Sequence, residues 1–207
     1  MKEFIENYIN FPIYMLKTYL KDIERWIAHR TYDKYHVVKT DLKPGYYDID
    51  TRILHSNFTL LVDFVEIEKA SLQYFFASHE RTKKFGSRVN FNNLTKAQKR
   101  ELGLQYLDWE INNTDEPFFP ERQRESAKET KELYLWWTDV RPSRIDPYDK
   151  YEEELDKFSG SILNMDGKNK KKMMALYKKI GKLEDQYEKE DETMLIRLMK
   201  NRKNLWT

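Results

Sequence analysis

YYDIDTRILHSNFTLLVDFVEIEK, residues 46–69, is the stretch on which the fold turns. Its apolar residues recur at three and four positions rather than two, which is the period of an α-helix. Asp48 or Asp50 is placed to cap the start. No Gly or Pro interrupts the run before His79, so the pattern predicts one long central helix from Asp48 to about His79. Ile53, Leu61, Phe64 and Val65 are expected to be shielded from solvent on it. At about 100° per residue, Asp48, Arg52, His55, Thr59, Asp63 and Glu66 fall within a sector of roughly 60–80°. Most of the remaining circumference is apolar, so the helix carries one ionisable stripe.

Outward from this helix the same period continues. Phe11 to Ala28 opens with Pro12, tolerated in a first turn, and Ile13, Leu16, Leu20, Ile23 and Ile27 then mark an amphipathic helix. Thr31 to Tyr47 breaks the period and ends in the turn signal Pro44-Gly45, so a long loop is expected. Asn93-Leu94-Thr95 resembles a cap for a helix through Asn112, with Leu102, Tyr106 and Trp109 as its apolar face and Gly103 as a weakness. Glu121 to Asp139 reads as a further helix stopped by Arg141-Pro142, and Tyr148 to Phe158 as a short one. The last helix starts near Asn169, and Met173, Leu176, Ile180, Leu183, Tyr187, Met194 and Leu198 keep an a/d-like spacing, interrupted by the acidic group near Glu190 and Asp191.

Composition agrees. The 207 residues include 20 Leu but only 6 Val, 6 Gly and 6 Pro, a balance that favours helices over sheets and turns. The predicted fold is all-α: a single-domain helical bundle with a long central helix and a long C-terminal helix. Residues 1–158 are expected to form the core, and 159–207 a flexible connection and a C-terminal helix packed on the core or on a partner.

Several function classes lose their support. The 37 basic and 35 acidic side chains leave a net charge of +2, which gives no general attraction to nucleic acid or anionic lipid. The absence of cysteine removes disulfides, iron–sulfur clusters and thiol nucleophiles. MKEFIENYINF lacks the order of a secretory signal, and no apolar run approaches the ~20 residues of a membrane span. A cytoplasmic protein with no membrane partner is the expectation. Glycine-rich nucleotide loops, HExxH, the EF-hand loop and GxSxG are all missing, and His29, His36, His55 and His79 stand at non-motif spacings. No catalytic residue, metal ligand or cofactor is therefore assigned.

Two clusters remain as candidate ligand-binding residues. The first is Arg52, His55, Asp63 and Glu66 on the stripe, where carboxylates beside His and Arg can tune one another or hold an anion. A structural ion-pair network produces the same pattern. The second is Trp136, Trp137, Arg141 and Arg144. Adjacent tryptophans diverge by about 100°, so one of them is free to line a pocket, and arginines beside tryptophan suit a planar anionic ligand. A helix-end aromatic plug is the competing explanation. Arg52, His55, Asp63 and Glu66 are expected to face one cavity together with at least one of Trp136, Trp137, Arg141 and Arg144.

Three stretches carry a resemblance: KPGYYDIDTRILH with LLVDFVEIEK, then WWTDVRPSR, then DETMLIRLMKNRKNLWT. Together they resemble an uncharacterised protein family that recurs in tailed bacteriophage genomes. The resemblance spans most of the chain from Lys43 onward and implies a viral protein in the host cytoplasm. It transfers no catalytic residue. The leading expectation is a phage accessory protein that binds a host protein or sequesters a small anionic, nucleotide-like ligand. One alternative is a metal-assisted phosphoester or nucleotide hydrolase, which would use a divalent cation with Asp63–Glu66 and Glu129–Glu132 as paired acids. The other is a virion structural or assembly component, with homo-oligomer formation through the C-terminal helix.

Overall fold

The structure, a computed structural model, describes residues 11–31, 37–76, 91–113, 120–158 and 166–205. Every regular element among them is helical, as the apolar period predicts. The chain forms two compact units, residues 1–40 and 41–207. The first contains helix α1, Phe11–Thr31.

In the second unit, α2 runs over Ile49–Asp63 and continues through a π-helical segment, Phe64–Lys69, into helical residues 70–76. The expected end at His79 lies outside the described residues. Asp48 stands at the N-cap, its carbonyl accepting the Arg52 N–H. Helix α3, Lys96–Asn112, opens with a reciprocal capping box: Thr95 Oγ1 accepts the Gln98 N–H, and the Gln98 side chain accepts the Thr95 N–H. Helix α4, Glu121–Leu135, passes into a second π-helical segment, Trp136–Val140, and then a 3-10 turn, Arg141–Ser143. Two short helices follow, α5 over Pro147–Lys150 and α6 over Glu152–Asp156. Helix α7 spans Gly167–Asn201, with Asp166 capping the Asn169 N–H.

The core is built where α2, α3, α4 and the C-terminal end of α7 meet. Phe58, Leu61, Val65, Leu107, Leu133, Tyr134 and Leu198 are all buried there. A buried polar lock fixes the end of α7: Ser126 Oγ donates to Asn201 Oδ1 at 2.8 Å, and Asn201 Nδ2 donates to Thr130 Oγ1 at 2.9 Å. The N-terminal half of α7 buries Met173, Leu176 and Ile180 and has α5 and α6 as neighbours.

Two packing expectations are corrected. Leu61, Phe64 and Val65 are buried as predicted, but Ile53 is 45% exposed. It belongs with Ile49, Leu60 and Ile67 to an apolar row that faces solvent, because the neighbours of α2 cover only part of its circumference. The second correction concerns α3, whose buried face is Gly103, Tyr106, Leu107 and Glu110, with Trp109 exposed. Gly103 is the cause. A Cβ there would fall against the Val65 carbonyl and within 2.9 Å of Val65 Cγ1, so only glycine lets α3 approach the π-helical segment of α2 this closely.

Candidate functional site

Each π-helical segment replaces the four-residue hydrogen-bond spacing with a five-residue one. The Ala70 N–H bonds the Val65 carbonyl, and the Arg141 N–H bonds the Trp136 carbonyl. Such insertions widen a helix, re-aim its side chains and concentrate at functional sites. Here both border one open cleft of about 830 Å³, to which the first contributes Glu66 and Ile67 and the second Trp137 and Thr138. The first two turns of α3 add Lys96, Ala97, Lys99 and Arg100. His55, Thr59, Val62 and Asp63 complete the α2 wall, with Asp41, Arg141 and Pro142 beyond them. The size falls within the range of small-molecule sites.

Five of the eight sequence-predicted residues meet here: His55, Asp63, Glu66, Trp137 and Arg141. Arg52 is not on the cleft, which corrects the expectation that it shares a cavity with His55, Asp63 and Glu66; of the second cluster, where at least one member was expected, Trp137 and Arg141 are present and Trp136 and Arg144 lie elsewhere. Arg52 lies a turn before His55 and is exposed. Trp136 and Trp137 diverge as adjacent helical residues must. Trp137 lies parallel to Phe58 at 4.6 Å and meets the His55 ring edge-on at 4.9 Å, whereas Trp136 Nε1 donates to Glu190 Oε1 at 2.7 Å. Arg144 sits over the rings of Trp136 and Tyr187 and donates to Asp191 Oδ1 at 2.6 Å.

Arg141 bridges the two environments. Its guanidinium lies over Trp137 at 4.7 Å while Nε and Nη2 both donate to Asp191, at 3.0 Å for the shorter bond to Oδ2. The bidentate carboxylate partner expected of a ligand is thus supplied by α7. Glu190 and Asp191 looked like an interruption of an apolar seam, and their role depends on arginines almost fifty residues away.

Most polar groups of the cleft already have partners. His55 Nδ1 lies 2.7 Å from Asp41 Oδ1, which also accepts from Thr59 Oγ1 at 3.4 Å. Arg100 donates to Asp139 Oδ2 at 2.6 Å, and that hydrogen bond holds the Asp139 carboxyl below the usual carboxylate range. Glu66, buried, accepts the Tyr134 hydroxyl at 2.7 Å. Burial first, and then this hydrogen bond, push the Tyr134 phenol far above its ordinary value, so it remains a neutral donor.

Two lysines are left over. Lys96 comes only within 4.0 Å of Glu66 Oε2 and its side chain is largely exposed, and Lys99 rests over the Phe91 ring at 4.9 Å with no carboxylate partner among the described residues. Asp63, half-buried, is the cleft carboxylate that accepts no hydrogen bond from the described residues. The cleft therefore combines Lys99, the loosely paired Lys96, the acceptor Asp63 and an apolar lining of Val62, Ile67, Ala97 and Pro142. Sequence reading overlooked Asp41, Lys96, Lys99 and Arg100. Lys96, Lys99 and Arg100 stand at i, i+3 and i+4 after a capping residue, a basic first face of α3 that was available as a signal.

The acidic pairs of the hydrolase alternative do not converge. Glu129 and Glu132 both accept from Arg197 Nη2 at 2.7 Å and are absent from the cleft lining. Among the described residues no three His, Asp or Glu side chains are grouped to hold a metal ion. No family model, curated protein or solved structure matches the chain.

Proposed function

We propose that this is a binding protein whose cleft takes a small anionic, nucleotide-like ligand, and that it acts as a phage accessory protein in the host cell. One observation carries the reading. His55, Arg100 and Arg141 each have a carboxylate partner at hydrogen-bond distance, while among the described residues Lys99 has none and Lys96 has only Glu66 at 4.0 Å. A phosphate-like group answers that surplus, and the start of α3 beside it adds the favourable end of the helix dipole. The apolar lining suits the flat body of the same ligand, and Asp63 is placed to accept from its amino or hydroxyl groups.

Isothermal titration with adenosine and guanosine mono-, di- and triphosphates, inorganic phosphate and pyrophosphate tests the reading. Binding of a nucleotide in preference to inorganic phosphate is expected, with a loss of about tenfold or more in Lys99→Ala and a further loss when Lys96→Ala is added, each charge-assisted contact contributing about 1.5–3 kcal/mol. No binding by any of these anions, or binding indifferent to both lysines, overturns it. Release of phosphate from a bound nucleotide in a Mg²⁺-dependent, Asp63-dependent manner would instead favour the hydrolase.

A further inference from the structure

Helix α1 presents a surface that the cleft reading does not use. Its 21 residues form a single helix in which every described side chain except Ala28 is exposed, among them Leu16, Tyr19, Leu20 and Trp26, each more than half open to solvent. A lone helix of this length is marginal in water and takes most of its stability from covering its apolar face. At about 100° per residue, Ile13, Met15, Leu16, Tyr19, Leu20, Ile23, Trp26 and Ile27 share one sector about 160° wide. Lys17, Lys21 and Arg25 run along the opposite face at four-residue spacing. Asp22 is answered by Arg25 at 3.3 Å, and Glu24 sits at the border of the two faces.

We propose that α1 binds in the plane of an anionic lipid bilayer, with this apolar face in the headgroup boundary and the Lys17–Lys21–Arg25 row toward the phosphates. Three features select lipid over a second helix. The apolar sector is far wider than the narrow a/d seam of a helix pair. Tyr19 and Trp26 are amphipathic rings suited to the membrane–water boundary, and the Arg30 guanidinium lies over the Trp26 ring at 4.0 Å, a cation held at the level of the same boundary. The helix carries four basic and two acidic residues, the sign that complements anionic headgroups. No helix among the described residues is long and apolar enough to cross a membrane, so α1 lies on the surface. The expectation of no membrane partner rested on the near-balanced charge of the whole chain and on the lack of a spanning segment, and neither constrains a single helix with a basic face of its own.

Co-sedimentation of the full chain with phosphatidylcholine vesicles, with and without phosphatidylglycerol, tests the proposal. Binding to the mixed vesicles is expected, at least about tenfold weaker on pure phosphatidylcholine and weakened by added salt. Leu16→Glu with Leu20→Glu should abolish it, and Lys17→Glu with Lys21→Glu should reduce it about tenfold or more, with the urea transition of residues 41–207 unchanged. Absence of binding, or binding that survives both double variants, overturns the proposal. A concentration-dependent dimer that Leu16→Glu with Leu20→Glu dissolves, without vesicle binding, overturns it in favour of a second copy.

Discussion

Glu66 and Lys69 leave the same π-helical segment of α2, both buried, and reach opposite kinds of environment. Lys69 Nζ donates to Glu110 Oε1 at 2.9 Å, lies about 5 Å from the Phe64 and Tyr106 ring centres, and shares Glu110 with Gln123 Nε2 at 3.2 Å. Lys69 and Glu110 are both almost wholly withdrawn from water. The adjoining cavity of about 340 Å³ is lined by Ser126 and Thr130, whose hydroxyls are already hydrogen-bonded. Glu66 also has a buried partner in Tyr134, yet its other oxygen looks toward Lys96, whose side chain is 82% exposed. Buried charge by itself therefore does not mark a site. What distinguishes the cleft is charge without a committed partner.

Lys69→Met tests the closed side most severely. It strands the Glu110 carboxylate, and unfolding in urea should show a loss of about 3–5 kcal/mol, most of it restored when Glu110→Leu is added, as for a buried ion pair replaced by apolar groups. A loss below about 1 kcal/mol would mean that Glu110 finds water, and the contrast with the cleft would fail.

Gly103→Ala strikes both sides at once, because the close approach of α3 to Val65 positions Glu110 on one side and Lys96, Lys99 and Arg100 on the other. The added methyl has backbone against it, and a loss of about 1–3 kcal/mol is expected by thermal or urea unfolding, accompanied by weakened anion binding. Unchanged stability would show that the two helices separate freely.

Alkaline pH probes the closed side through Tyr106. Burial, followed by the nearby Glu110, pushes its phenol up to about 12. Below the ordinary value near 10 both folded and unfolded chains hold the proton, and this contribution to stability is fully present. Between about 10 and 12 the unfolded chain has released it and the folded chain has not, so stability falls as pH rises and the contribution is lost on passing the folded value. The slope of unfolding free energy against pH in this window should be negative and shallower in Tyr106→Phe, with Tyr134 supplying a remainder of the same sign.

On the open side the effects on stability shrink. Glu66→Gln keeps an acceptor for the Tyr134 hydroxyl and should cost about 1 kcal/mol. Lys96→Ala should change unfolding by less than about 0.5 kcal/mol, the range for exposed side chains, while reducing anion affinity in titration calorimetry. A variant that is silent in stability and costly in binding separates a ligand site from a structural pair; equal loss in both would place Lys96 with Lys69.

How much of this was legible before folding differs between elements. Helix α2 was readable because period and the absence of Gly and Pro are local properties, and a cap within Asn93-Leu94-Thr95 and the run of α7 followed from the same kind of signal. The stripe through His55, Asp63 and Glu66 was readable for the same reason. Where α3 turns its face was not: Gly103 looked like a defect, and its meaning depends on a Val65 carbonyl 38 residues away. The arginines of WWTDVRPSR have a chemistry written in their side chains, but their partner Asp191 is contributed by a helix whose acidic cluster, read alone, interrupts a seam.

The amino-acid sequence by itself determined that this chain is helical, where its long helices run and which side chains carry charge, since propensity, capping and periodicity act within a turn or two of backbone. Only the tertiary structure decided which of those charges are satisfied. Arg141, Arg144 and Glu129 found partners on α7, Lys69 found Glu110, and Lys96, Lys99 and Asp63 were left facing a cleft, because pairing depends on distances between elements that no local pattern encodes.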